Sequence, residues 1–113
     1  MRRGEVWWAE LPAPAGNRPV VLLSRDEAYA VRELVTVAPV TTRARLIPAE
    51  VPLTAEEGLP KSCVANLDTI TTIPKRALAR RITVLGREKM AAVEAALRFA
   101  LALSDPRFEP PIA

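Results

Sequence analysis

Five residues in two short stretches carry most of the chemistry this chain can offer. Arg18 stands directly before Pro19, and Thr41, Thr42, Arg43 and Arg45 fall in the run VTTRAR. A guanidinium stays charged at every physiological pH and presents parallel N–H donors that match two oxygens of a phosphate. A threonine hydroxyl can donate a further hydrogen bond to an oxygen that gains charge in a transition state. If the strands carrying them are neighbours, Arg18 and Thr41 could converge on one phosphate. The alternative is a solvated arginine at a strand mouth and a polar loop after another strand. Spacing alone does not separate the two.

The residues that are missing narrow the field. The chain has no histidine and a single cysteine, Cys63. A Ser-His-Asp triad, a Cys-His dyad and a His/Cys zinc site are therefore out of reach. The acidic residues are scattered; only Glu56 and Glu57 adjoin, in a turn, and nothing resembles a carboxylate cage for magnesium. Four glycines supply no phosphate-cradling loop. No metal site and no cofactor is expected. The net charge of +3 permits a nucleic-acid partner without demanding one. Arg43 with Arg45, and Lys75, Arg76, Arg80 and Arg81, form two basic groups that serve either a solvated surface or a partner. At 113 residues the chain reads as one domain, with 104–113 a peripheral tail. No apolar run is long enough for a bilayer, and the N-terminus lacks the apolar stretch of a signal peptide, so a cytoplasmic protein without membrane contact is expected.

These residues need strands to hold them. The alternation and β-branched content predict strands over 4–11, 18–24, 33–40, 49–53, 62–67, 69–74 and 81–85, with a Pro/Gly/Asn loop at 12–17 and a turn at 58–60. Residues 75–78 read as a single helical turn. From Arg87 to Ser104 the period changes: Met90, Val93, Leu97 and Leu101 recur at helical spacing, with Gly86 as N-cap and Pro106 as the stop. Many short strands followed by one helix predict a small curved sheet or barrel with the helix packed on it. Trp7 and Trp8, adjacent on a strand, should face opposite sides, one to the core and the other open to a base or an interface. Cys63 reads as core, and Asn66 and Asp68 as structural.

The ordered blocks RRGEVWWAEL, NRPVVLLSRD, VTVAPVTTRAR and GLPKSCVANLDTITTIPKRAL, followed by REKMAAVEAALRFALAL, resemble the MazF/PemK family of bacterial toxins over Arg2 to Leu103. The resemblance implies a mainly β chain with a C-terminal helix, folded as an SH3-like barrel and forming a homodimer. It also implies a metal-independent, sequence-selective endoribonuclease that acts on single-stranded RNA (mRNA, with tRNA and rRNA as further targets). Such a toxin is silenced by a cognate antitoxin of the MazE kind. Carried over residue by residue, the family's catalytic arginine falls on Arg18 and its catalytic hydroxyl on Thr41, with Thr42 in reserve. Asn17, Thr42, Arg43 and Arg45 become the expected RNA contacts.

The chemistry the resemblance implies is attack by the RNA's own 2′-hydroxyl, which needs no nucleophile from the protein and leaves a 2′,3′-cyclic phosphate and a 5′-hydroxyl. This chain departs from the family pattern in a short first loop, PAPAGN, in Ser62-Cys63 and in Thr69-Ile70-Thr71. Cleavage specificity therefore does not carry over. Two other readings stand beside the ribonuclease: a CcdB-like barrel that poisons gyrase by binding alone, and a catalytically silent RNA-binding barrel.

Overall fold

A computed structural model describes residues 1–103. Its seven strands are β1 (Glu5–Ala9), β2 (Arg18–Leu22), β3 (Leu34–Thr41), β4 (Glu50–Leu53), β5 (Cys63–Asn66), β6 (Thr71–Pro74) and β7 (Leu78–Val84). Two helices, α1 (Ala28–Val31) and α2 (Arg87–Leu101), complete the order, with short 3-10 turns at Ala55–Glu57, Leu67–Thr69 and Lys75–Ala77. All pairings are antiparallel, in the order β4-β5-β3-β2-β1-β7, with β6 also on β3. The mainly β architecture with a C-terminal helix is the one expected. The expected tail 104–113 and the stop at Pro106 lie outside the described residues.

The path of β3 positions everything that follows. Its first half pairs with β6, Leu34 against Pro74 through Val37 against Thr71, while its last two residues pair with β5, Val40 against Ala65 and Thr41 against Val64. Thr41 therefore ends a strand held by neighbours on both sides. Beside it, β2 is apolar at successive rather than alternate positions, because both faces of the sheet are covered. Val21 faces a core with Val6, Ala38, Leu53, Leu67 and, from α2, Val93 and Ala96. Val20 and Leu22 face a second core with Tyr29, Val35, Val37 and Ile73.

Several boundaries differ from expectation. The strand expected from residue 69 begins at Thr71, since Leu67–Thr69 forms a 3-10 turn in which the Asn66 side chain accepts a hydrogen bond from the Asp68 N–H. β7 starts at Leu78, not at residue 81; Ala79, Arg80 and Arg81 are exposed, and their strand conformation comes from pairing with β1 rather than from burial. The helical turn at residue 75 is present, as a 3-10 turn. α2 stops at Leu101 instead of Ser104: Ala102 takes a left-handed conformation (φ 55°), and Ala102 and Leu103 both donate N–H bonds to the carbonyl of Arg98. Gly86 is the N-cap, as expected. Among the described residues no helix is long and apolar enough to cross a membrane.

Candidate active site

Register brings the two predicted catalytic residues together. β2 and β3 pair Val20 with Pro39, Val21 with Ala38 and Leu22 with Val37. Continued by two residues, the same register sets Arg18 opposite Thr41, on the face that carries Val20 and Pro39. Asn66 joins them from the other side, because the β3–β5 register continues from Val40–Ala65 to Pro39–Asn66. The result is an open cavity of about 400 Å³ lined by Arg18, Pro39, Thr41, Arg43, Ala44, Arg45, Asn66 and Thr69. Three guanidinium-bearing residues and two hydroxyls surround it, with no carboxylate, thiol or imidazole in the lining. Arg43 and Arg45 make no ion pair with any described residue.

The hydrogen bonds define what each group can still do. Arg18 Nε–H donates to the carbonyl of Ala15 at 2.9 Å, which anchors the guanidinium on the first loop. Its two terminal nitrogens remain as a fork of donors. Thr41 Oγ1 accepts from the Arg43 backbone N–H at 3.2 Å, and the hydroxyl proton is left to point elsewhere. Both side chains are partly exposed, as a ligand would require. Proline at 19 restricts Arg18 to extended backbone and fixes the geometry from the chain side.

Thr41 is also a wall of a second, apolar cavity of about 280 Å³ on the opposite face of the sheet end, lined among others by Trp8, Pro19, Thr42, Leu59 and Cys63. Trp8 pairs with Pro19 across β1–β2, which places the two together on that face. Its ring lies 5.8 Å from the Arg80 guanidinium, a cation–π arrangement. Trp7 turns the other way: Nε1–H donates to Glu5 Oε1 at 2.9 Å and the ring packs against the second core. The expected division between the tryptophans holds, and Trp8 is the one that lines a cavity.

Other expectations need adjustment. Thr42 lines the apolar cavity but not the arginine cavity, and Asn17 is exposed and lines neither. Asn66 is structural, as read, yet it also lines the arginine cavity together with Thr69. Cys63 packs on the core only in part; its thiol donates to the Leu53 carbonyl at 3.6 Å, and burial, with the Glu57 charge, pushes its pKa up. Lys75, read as serving either the surface or a partner, is half-buried and donates from Nζ to the Tyr29 carbonyl at 2.8 Å. The signal for Asn66 was available: an asparagine followed two residues later by aspartate, at the end of a strand, marks a capped turn. What could not be read is that this strand pairs with the one bearing Thr41.

A fold and a site of this kind define a small antiparallel β protein with an arginine-lined cavity at a strand end. Residues 2–101 match the family model described as PemK-like, MazF-like toxin of type II toxin–antitoxin system. The chain is 45% identical over 92 residues to a probable endoribonuclease MazF2 of Mycobacterium tuberculosis, covering 80% of this chain and 87% of that relative. Among solved structures it resembles the Mycobacterium tuberculosis toxin MazF-mt6 with a TM-score of 0.82 at 34% identity, covering 88% of this chain and 98% of that one. A mycobacterial endoribonuclease in complex with its cognate antitoxin also superposes with a TM-score of 0.82, at 26% identity over 94% of this chain and 99% of that one. The chain belongs to the PemK-like, MazF-like toxins of type II toxin–antitoxin systems. It is, with them, an endoribonuclease toxin.

Proposed function

We propose that the arginine cavity is where this toxin cleaves single-stranded RNA, by attack of a 2′-hydroxyl of the RNA on the adjacent phosphorus. The 2′-oxygen gives its proton to solvent as its bond to phosphorus forms. The bond from phosphorus to the 5′-oxygen breaks, that oxygen takes a proton from solvent, and the products are a 2′,3′-cyclic phosphate and a 5′-hydroxyl. The observation that carries this reading is the convergence of Arg18, Thr41, Arg43 and Arg45 on one cavity without a carboxylate in its lining. Arg18 grips the non-bridging oxygens through its free terminal nitrogens and opposes the charge that builds on them. Thr41 adds an O–H donor, since its oxygen already accepts from Arg43 N–H. Arg18 acts electrostatically; a guanidinium holds its proton too firmly to be matched to proton transfer near neutrality. The reaction is metal-independent in this scheme, because no step requires a further Lewis acid.

Arg43 and Arg45 hold neighbouring phosphates, and Asn17 and Thr42 contact the strand on either side of the cut. The apolar cavity beside Thr41 favours an unpaired base, which fits a single-stranded substrate whose bases can splay out. Sequence selectivity arises there, through Trp8. The protein acts as a growth inhibitor, one barrel domain per chain and two chains per dimer. A cognate antitoxin of the MazE kind silences it by laying acidic residues across the arginine cavity. The chemistry is tested with an RNA oligonucleotide cut once by the protein. Replacing the single 2′-hydroxyl at the cut with hydrogen should abolish cleavage there while leaving binding intact. Cleavage that persists at the deoxy position would contradict the scheme.

A further inference from the structure

Glu50, the first residue of β4, is a charged side chain with only 8% exposure. Its Oε1 accepts two backbone hydrogen bonds, from Arg45 N–H at 2.7 Å and from Leu46 N–H at 3.1 Å. Its Oε2 is buried without a partner among the described residues. A buried carboxylate oxygen left unpaired is costly, and an apolar residue at this position would avoid that cost. The segment Glu50 holds gains nothing from burial, since residues 42–46 are all exposed. Leu46 is 87% exposed and sits at φ 57°, a left-handed conformation unfavourable for leucine. That turn lets two successive N–H groups point at one anionic oxygen.

The loop is therefore tied at both ends through the residues that matter to the cavity. Arg43 N–H is held by Thr41 Oγ1 and Arg45 N–H by Glu50 Oε1. Bonds from backbone N–H to a carboxylate are roughly twice as strong as neutral ones, so the Glu50 tie is the firmer of the two. Glu50 also pairs across the β4–β5 ladder with Asn66, which lines the same cavity.

We propose that Glu50 is the positioning residue of the RNA-contacting loop: its carboxylate holds the backbone at Arg45 and Leu46, so that Arg45 faces the phosphate-binding cavity. This rests on the ribonuclease reading above. Glu50 touches neither RNA nor the reacting atoms. Its effect is to remove the freedom that Arg45 would otherwise lose each time RNA binds.

The test is a double-mutant cycle in the full chain, read by cleavage kinetics and by the salt dependence of RNA binding. Glu50→Ala should raise KM more than it lowers kcat and reduce the slope of log K against log salt by about 0.7 for one lost phosphate contact. Arg45→Ala should weaken cleavage in the wild-type background yet change it less than about twofold in Glu50→Ala, because the side chain no longer reaches its phosphate. Glu50→Gln keeps an oxygen for both N–H groups and should restore the loop. Should Glu50→Ala fail to fold, Leu46→Pro removes one of the two N–H donors and forbids the left-handed turn at an exposed site. It should mask Arg45→Ala in the same way. Additive effects with an unchanged salt slope, in a wild type that cleaves RNA, would overturn the role of Glu50 alone. A wild type that cleaves no RNA would overturn the ribonuclease reading and this proposal with it.

Discussion

Arg18 is held from two sides, by the extended backbone that Pro19 enforces and by the bond from Nε to Ala15, and what remains free is the fork of terminal nitrogens. That arrangement makes Arg18→Lys a demanding substitution, since a lysine keeps the charge but loses both the anchor and the paired donors. Thr41→Val keeps the shape and the strand while removing the hydroxyl. It should lower kcat by about 10²–10³ if the donor acts on the developing charge, with KM little changed. The cavity lining holds no carboxylate, thiol or imidazole, so kcat/KM should show no bell-shaped profile between about pH 5 and 9. A kinetic pH series checks this, and an inflection near the usual carboxylate value would show that a group outside this lining takes part. The residue types of this site were legible in the sequence: an arginine before proline, a hydroxyl at a strand end, two more arginines in the loop. Asn66, Thr69 and Glu50 were not, because they reach the site through the pairing of β5 with β3 and β4 and the turn that follows β5, and register over such separations is not written in local pattern.

At the scale of elements, the apolar run in β2 and the helical period of α2 were the clearest signals. Val20, Val21 and Leu22 are buried, while on α2 Val93 is buried, Met90 and Leu97 pack on the core in part, and Leu101, expected on the same face, is 49% exposed. α1 gave no signal, being four residues long without a side-chain cap. The turn at residue 58 is a stricter requirement than composition suggests. Gly58 sits at φ 93° after a 3-10 turn closed by a Thr54–Glu57 capping box, and a Cβ there would lie 2.8 Å from Thr83 Oγ1. Gly58→Ala should therefore cost about 1–2 kcal/mol from backbone strain, with the contact to Thr83 adding to it. Urea unfolding measures the loss, and an unchanged midpoint would show that the turn relaxes freely. Leu53, fully buried between the small β4–β5 pair and α2, should cost about 2–5 kcal/mol on truncation to alanine.

For the whole molecule, the titrations of Glu5 and Tyr29, beside that of Cys63, contribute to how stability responds to pH. Burial pushes the Glu5 carboxyl upward, but this is outweighed by bonds from Trp7 Nε1–H and Arg2 N–H, by the terminal ammonium and by Arg81, so its pKa falls below the ordinary 4.5. A carboxyl depressed in the folded state stabilises above its unfolded value, and that contribution is lost as pH drops below 4.5 through the lower folded value. Burial raises the Tyr29 hydroxyl from 10 to about 12, so its contribution is intact below pH 10 and is lost as pH climbs from there to about 12. Thermal melts should show both limbs, the acid one flattened in Glu5→Gln and the alkaline one in Tyr29→Phe; unchanged limbs would remove these groups from the account. The measurement that most directly tests the central claim is cleavage of a long mixed-base RNA in excess EDTA by the wild type and by Arg18→Ala, with both proteins verified as folded. The account predicts discrete cuts that leave 5′-hydroxyl ends, slowed by about 10²–10³ in the variant. Equal cleavage by both proteins, or cleavage that EDTA abolishes, would contradict it.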